Sequence, residues 1–201
     1  MSRCLSRAVL VSVAASVSLM VIVGCDGRPG RIHPPKINPA TAAAEAMKQY
    51  DTNQDGKIDK EELTKCSFFN SLAKDGVVTS DAIVAELTKW KDLNLGRVKW
   101  DANITHNKKP VTKATVKLVP EKFLGANMIA AEGVTDDFGG VTLSVPRKSV
   151  DDPRGVQLGF YRLEVTKDGE SIPAKYNTES TLCVHVGGGQ GPTSASFVLV
   201  Y

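Results

Sequence analysis

The sequence predicts an α+β chain: a small helical unit over 38–96, then an antiparallel seven-strand β-sandwich over 97–201. Three observations predict it. Apolar residues recur with the helical period before residue 97 and alternate with period 2 after it. A polar loop of Asp, Asn and Gly at 51–62 lies between two helix-favouring segments. Beyond 97, short alternating runs are separated by Gly, Pro, Asn and Asp turn signals. With 42% hydrophobic and 23% charged residues, the 201-residue chain has the composition of a globular protein.

The N-terminus reads as an address. Residues 1–24 carry Arg3 and Arg7 and no acid, and Ala8–Val23 has no charge at all. This is the pattern of a signal peptide. The run Ile22-Val23-Gly24-Cys25 resembles a bacterial lipobox. That resemblance implies diacylglyceryl attachment at Cys25, cleavage before it, and a lipid anchor on the outer side of a bacterial membrane, either periplasmic or at the cell surface. An ordinary cleaved signal with a chance cysteine, or an uncleaved anchor, remains open. Without residues 1–24 the charge is nearly balanced, 23 basic against 22 acidic residues, so no basic excess points to nucleic acid. Residues 25–37 are rich in Pro and Gly and are expected to form a flexible tether.

Asn38-Pro39 is an N-cap followed by proline at the first helical position, and Ala40–Tyr50 is Ala-rich with Ala43, Met47 and Tyr50 on one face. The next twelve residues fit an EF-hand calcium loop at every defining position. Asp51, Asn53 and Asp55 alternate, so a tight loop can turn their oxygens to one centre. Gly56 permits the sharp turn, and Lys57 would offer its backbone carbonyl. Asp59 would act through a water, and Glu62 is long enough to chelate with both oxygens. Ca²⁺ is hard and takes six to eight oxygens at about 2.3–2.6 Å, which this donor set suits better than it suits Mg²⁺. An Asx-rich turn and an isolated helix cap would explain pieces of the pattern, but not six filled positions in register.

A decayed second hand is expected next. Ser67–Lys74 is a short helical candidate. Aligning Gly76 with Gly56 places Val78 opposite Ile58 for a short β pairing. It also places Ser71, Ala73 and Ala82 where ligands would stand, so this loop is expected to be structural. Thr79 then caps a helix to about Lys91 with Ile83, Val84, Leu87 and Trp90 on one stripe.

The β half is expected to use Val98–Ile104, Thr115–Val119, Met128–Thr135, Val141–Val145, Tyr161–Val165, Leu182–Val186 and Ser196–Tyr201. The segments 133–143, 159–165 and 172–177 resemble the transthyretin-like, carboxypeptidase-regulatory-like modules of bacterial surface lipoproteins, planctomycete-type ones included. The resemblance implies the sandwich fold and the compartment, and it implies no activity.

Enzyme signatures are missing: no H-E-x-x-H, no G-x-S-x-G and no phosphate loop, so a non-enzyme is expected. Only His33, His106 and His185 are present. Cys183 and His185, two apart on one strand, are weak evidence for zinc. Gly187–Gly191 reads as a strand connection. Cys66 and Cys183 could pair in an exported chain, or Cys66 could simply be a small buried residue. The expected function is calcium binding on a lipid-anchored envelope protein. Two alternatives stay open: an adhesion or scaffold module binding a protein or glycan, or an accessory subunit of an exported hydrolase.

Overall fold

The computed structural model describes residues 32–150, 152–187 and 193–201. The signal peptide, Cys25, the first part of the expected tether and most of the Gly187–Gly191 run lie outside the described residues.

Helix α1 (Pro39–Tyr50) starts where Asn38 Oδ1 accepts the Thr41 N–H at 3.1 Å, with Pro39 at the first helical position. It buries Ala42, Ala43, Ala46 and Tyr50, while Met47 is only partly covered. Strand β1 (Lys57–Ile58) pairs antiparallel with β2 (Val78–Thr79), Ile58 opposite Val78 as the alignment of the two loops predicts. Helix α2 (Lys60–Leu63) is a single turn. The segment expected to be helical after it is a 3-10 turn, Ser67–Ser71, that buries Phe68 and Phe69. Helix α3 (Ser80–Leu93) is capped by Thr79 and buries Ile83, Leu87 and Trp90.

Eight further strands follow among the described residues: β3 (Trp100–His106), β4 (Lys109–Pro110), β5 (Thr115–Pro120), β6 (Ala131–Val134), β7 (Gly140–Leu143), β8 (Gly159–Thr166), β9 (Cys183–Val186) and β10 (Ser194–Leu199). They make two four-stranded sheets. In the first, β3 is flanked by β10 and by β4 and β7; in the second the order is β6-β5-β8-β9. The expectation of seven purely antiparallel strands needs correcting here. The two-residue β4 adds a strand, and β10 pairs parallel to β3, Ser194 opposite Asp101 through Leu199 opposite His106. The β6–β7 turn is closed by Asp136, whose Oδ1 accepts the N–H groups of Phe138 at 2.8 Å and Gly140 at 2.9 Å. Gly139 in this turn has φ +77, and a Cβ there would stand 2.5 Å from the Ile104 carbonyl oxygen, so only glycine fits.

Strand alternation decides which side chains meet. On β8, Tyr161, Leu163 and Val165 join the buried cluster shared by the inner faces of the sheets. The opposite face carries Phe160 and Arg162, paired across to His185 and Cys183 of β9. The helical unit covers this second face. Phe160 lies 5.4 Å from Phe68, 4.9 Å from Phe69 and 5.0 Å from Trp90, ring centre to ring centre. Tyr50 meets Phe123 edge-on at 6.3 Å. One hydrophobic core therefore runs through both halves. Burying each such aromatic contributes about 1.5–3 kcal/mol, support that a helical stretch this short needs from outside itself. Residues 32–37 also lie against this body: Asn127 Nδ2 donates to the Lys36 carbonyl at 3.0 Å, and Ile37 packs on the core.

A polar cluster is sealed beneath the helical unit. Arg162 Nε donates to Glu121 Oε1 at 2.7 Å, and its Nη2 donates to the Tyr50 hydroxyl at 3.0 Å and to the Lys65 carbonyl at 2.6 Å. Tyr50 in turn donates to Glu121 Oε2 at 2.8 Å. Burial, reinforced by the Glu121 charge, pushes the Tyr50 phenol well above its ordinary range.

Candidate metal centre

The loop is organised by its own carboxylates. Asp51 Oδ1 accepts the Asp55 N–H at 3.1 Å and Oδ2 accepts the Gly56 N–H at 2.9 Å. Asn53 Oδ1 also accepts from Asp55, at 3.0 Å, and Asp55 Oδ1 accepts the Lys57 N–H at 2.9 Å. These Asx turns fold residues 51–57 into a coil that places alternate side chains on its inner side. Gly56 has φ +83, the left-handed conformation the turn demands. Its missing Cβ would meet nothing within 4 Å, so the requirement here is conformational rather than steric.

Asp59 and Glu62 form a capping box at the start of α2. Asp59 Oδ1 accepts the Glu61 N–H at 3.0 Å and, more distantly, that of Glu62, while Glu62 Oε2 accepts the Asp59 N–H at 3.2 Å. The other Glu62 oxygen reaches across the loop. Oε1 accepts from the Thr52 N–H at 2.6 Å, the Thr52 hydroxyl at 2.9 Å and the Asn53 N–H at 3.2 Å. Glu62 is buried although it is an acid. Burial would raise its pKa, but the Thr52 hydroxyl and the N–H groups of Asp59, Asn53 and Thr52 outweigh that and hold the carboxylate below its ordinary range.

The six predicted residues, Asp51, Asn53, Asp55, Lys57, Asp59 and Glu62, thus stand on one loop, with Glu62 spanning it from α2 to residues 52 and 53. Side-chain oxygens of Asp51, Asn53, Asp55, Asp59 and Glu62 are engaged with N–H groups of the loop and the first turn of α2. Among the described residues, no group of three or more His, Cys, Asp and Glu side chains is gathered as a metal cluster. The chemistry of the donor set still fits a hard cation: carboxylate, amide and carbonyl oxygens, without a nitrogen or sulfur ligand.

The second loop carries none of this. Ser71 ends the 3-10 turn, Ala73 and Ala82 offer no oxygen side chain, and Lys74 and Val77 close a tight turn with N–H to carbonyl bonds of 2.9 and 3.0 Å.

Sequence reasoning does not find a second polar site. A crevice of about 570 Å³ opens between the helical unit and the sheets, bordered by Ser71, Glu86, Lys89, Cys183 and His185. His185 Nδ1 lies 2.8 Å from the Ser71 hydroxyl. Its Nε2 lies 3.3 Å from Glu86 Oε1, an ion pair only when the imidazole is protonated, and outside hydrogen-bond geometry. Glu86 is held in place by Trp90 Nε1 at 2.8 Å and Lys89 at 3.5 Å. The contact with His185, then burial opposing it, then Trp90, leave the Glu86 carboxyl below its ordinary range. The backbone N–H groups beside Ser71 are committed: Leu72 donates to Phe69 and Ala73 to Asn70. The one available signal was the spacing of Cys183 and His185, which puts both on the same strand face.

Residues 43–67 match the family model described as EF hand. The match covers α1 from Ala43 onward, the loop and α2, the elements that position the six oxygen-bearing residues. No curated protein matches the chain. An EF hand joined to a β-rich C-terminal region, with calcium binding as the activity the hand suggests, is where geometry and comparison meet.

Proposed function

We propose that this chain is a calcium-binding protein held at a bacterial envelope by a lipid on Cys25. One Ca²⁺ would be taken by Asp51, Asn53, Asp55, the Lys57 carbonyl, Asp59 through a water, and Glu62. The observation that carries the reading is Glu62 itself. It is a buried acid on the turn after the loop, its carboxylate directed back over residues 52 and 53. When bound, the ion supplies charge and a common centre for the loop oxygens. The residues' part is to hold α2 against the loop and keep Glu62 ionised. An extracellular site of this kind needs an affinity of only about 10⁻⁴–10⁻³ M. The second loop lacks ligands, so the role is structural rather than that of a sensor which opens a groove. The two sheets and their shared core support reading 97–201 as a non-catalytic transthyretin-like sandwich presented by the anchored hand. Calorimetric titration of the purified chain with calcium tests this. Binding heat that disappears in Glu62→Gln is expected; absence of heat, or heat unchanged in that variant, overturns it.

A second reading, docking of the β half to a protein or glycan, is favoured by Phe138, which is 81% exposed at the tip of the β6–β7 turn. Pull-down from envelope extracts with the whole chain, compared with Phe138→Ser, tests that reading. Equal recovery by both proteins would remove its support.

A further inference from the structure

Two thiols lie at the seam where the helical unit rests on the second sheet. Cys66 follows α2 and is fully buried, its Sγ 3.3 Å from the Glu62 carbonyl. Cys183 stands on β9, is half-buried and borders the crevice. Its Sγ lies 3.8 Å from the carbonyl oxygen of Lys65, the residue bonded to Cys66. Standard backbone geometry then puts that sulfur within about 7 Å of the Cys66 Cα. The seam is fixed at this point, because Arg162 donates to the same Lys65 carbonyl at 2.6 Å and lies 3.1 Å from the Cys183 sulfur. A disulfide needs a Cα spacing of about 4.4–6.8 Å, so closure calls for rotation of both thiols and for an approach of the α2 end to β9 that brings the Cα atoms into that range.

We propose that Cys66 and Cys183 close into a disulfide that staples the helical unit to the second sheet, the oxidant being an external disulfide of the kind an exported chain meets. The oxidant in the cell rests on the export reading above; the geometry does not. Cys183, reached through the crevice, attacks the external disulfide, forming a mixed disulfide and releasing one thiol. Cys66 then attacks the Cys183 sulfur and releases the second. Each cysteine's proton ends on a leaving thiolate, so two protein thiols and one external disulfide become one protein disulfide and two free thiols. The bond would clamp the chain one helical turn beyond Glu62, and so hold the exit of the calcium loop against the sheet. It would also tie together two residues far apart in sequence, which restricts the unfolded chain strongly.

The test is to purify the full chain under reductant, expose it to oxidised glutathione, alkylate what remains free, and map the peptides without reduction. The expected result is a linked pair of peptides carrying Cys66 and Cys183. It should come with a rise in Tm that reductant abolishes and that Cys183→Ser does not show. Glutathione retained on Cys183 with Cys66 free, or both cysteines free, overturns the proposal. Export is read separately, from the N-terminal mass of protein extracted from membranes, so its failure leaves a different signature.

Discussion

Replacing Glu121 by Gln probes the seam without changing its volume. Glu121 has a side chain only 5% exposed and Arg162 one that is 23% exposed, so solvent screens the pair weakly. The carboxylate takes two close bonds, from Arg162 Nε at 2.7 Å and from the Tyr50 hydroxyl at 2.8 Å. Hydrogen bonds to a charged group contribute about 1.5–3 kcal/mol each. Gln keeps one carbonyl oxygen, so one bond survives in neutral form, and Arg162 still reaches the Lys65 carbonyl. The expected loss is about 2–3 kcal/mol. Ala in place of Glu121 strands the guanidinium more completely and should cost about 3–5 kcal/mol. Urea unfolding followed by circular dichroism reads this as a lower midpoint with an unchanged slope. In a chain of this length the Gln variant should lose about 4–12 °C in Tm. Combining it with Arg162→Met should cost less than the sum of the two single changes. A Gln variant within about 0.5 kcal/mol of the parent, or strict additivity in the double variant, would refute the claim that this pair anchors the polar cluster on which Tyr50 and Lys65 of the helical unit rest.

Four further outcomes are expected. Phe160→Ala removes the ring that touches Phe68, Phe69 and Trp90, and should destabilise by about 3–5 kcal/mol in one cooperative transition reported by both Trp fluorescence and far-UV circular dichroism. Glu86 has a folded pKa below its ordinary 4.5, so its stabilising contribution is present above that value and fades as pH falls through the folded one. The stability gap between parent and Glu86→Gln, measured by urea unfolding across pH, should narrow in that acid window. Gly139→Ala should cost more than Gly56→Ala: both need a positive φ, worth about 1–2 kcal/mol, but only at Gly139 would the new methyl meet a carbonyl oxygen. Thermal unfolding of the two variants decides the order. Asn38→Ala should lose about 1 kcal/mol through the vacated Thr41 N–H, read from the same unfolding curves.

What the sequence made legible was local. The loop register, the Asn38 and Thr79 caps, the Asp59–Glu62 capping box and the pairing of Ile58 with Val78 all depend on neighbours within a few residues. The parallel β10–β3 pair was hidden because a strand's alternation says which side faces in, not which distant strand lies beside it. The alternation of the strand places Arg162 on the face opposite Tyr161 and Leu163 but does not say what covers that face. That face is roofed by the helical unit, and the apolar Phe160 on it was the clue. Glu121 was invisible for the same reason, since its burial depends on a tyrosine from α1. The Ser71–His185–Glu86 contacts join three segments that no local pattern connects. In the calcium loop the sequence named the residues, but not that their oxygens would be engaged by the loop's own N–H groups.

The most direct measurement is equilibrium dialysis of the purified chain against radioactive calcium, with Glu62→Gln alongside. One ion per parent chain, and a large loss of affinity in the variant, is the predicted result. No retained calcium at millimolar concentration, or equal retention by both proteins, would contradict the account.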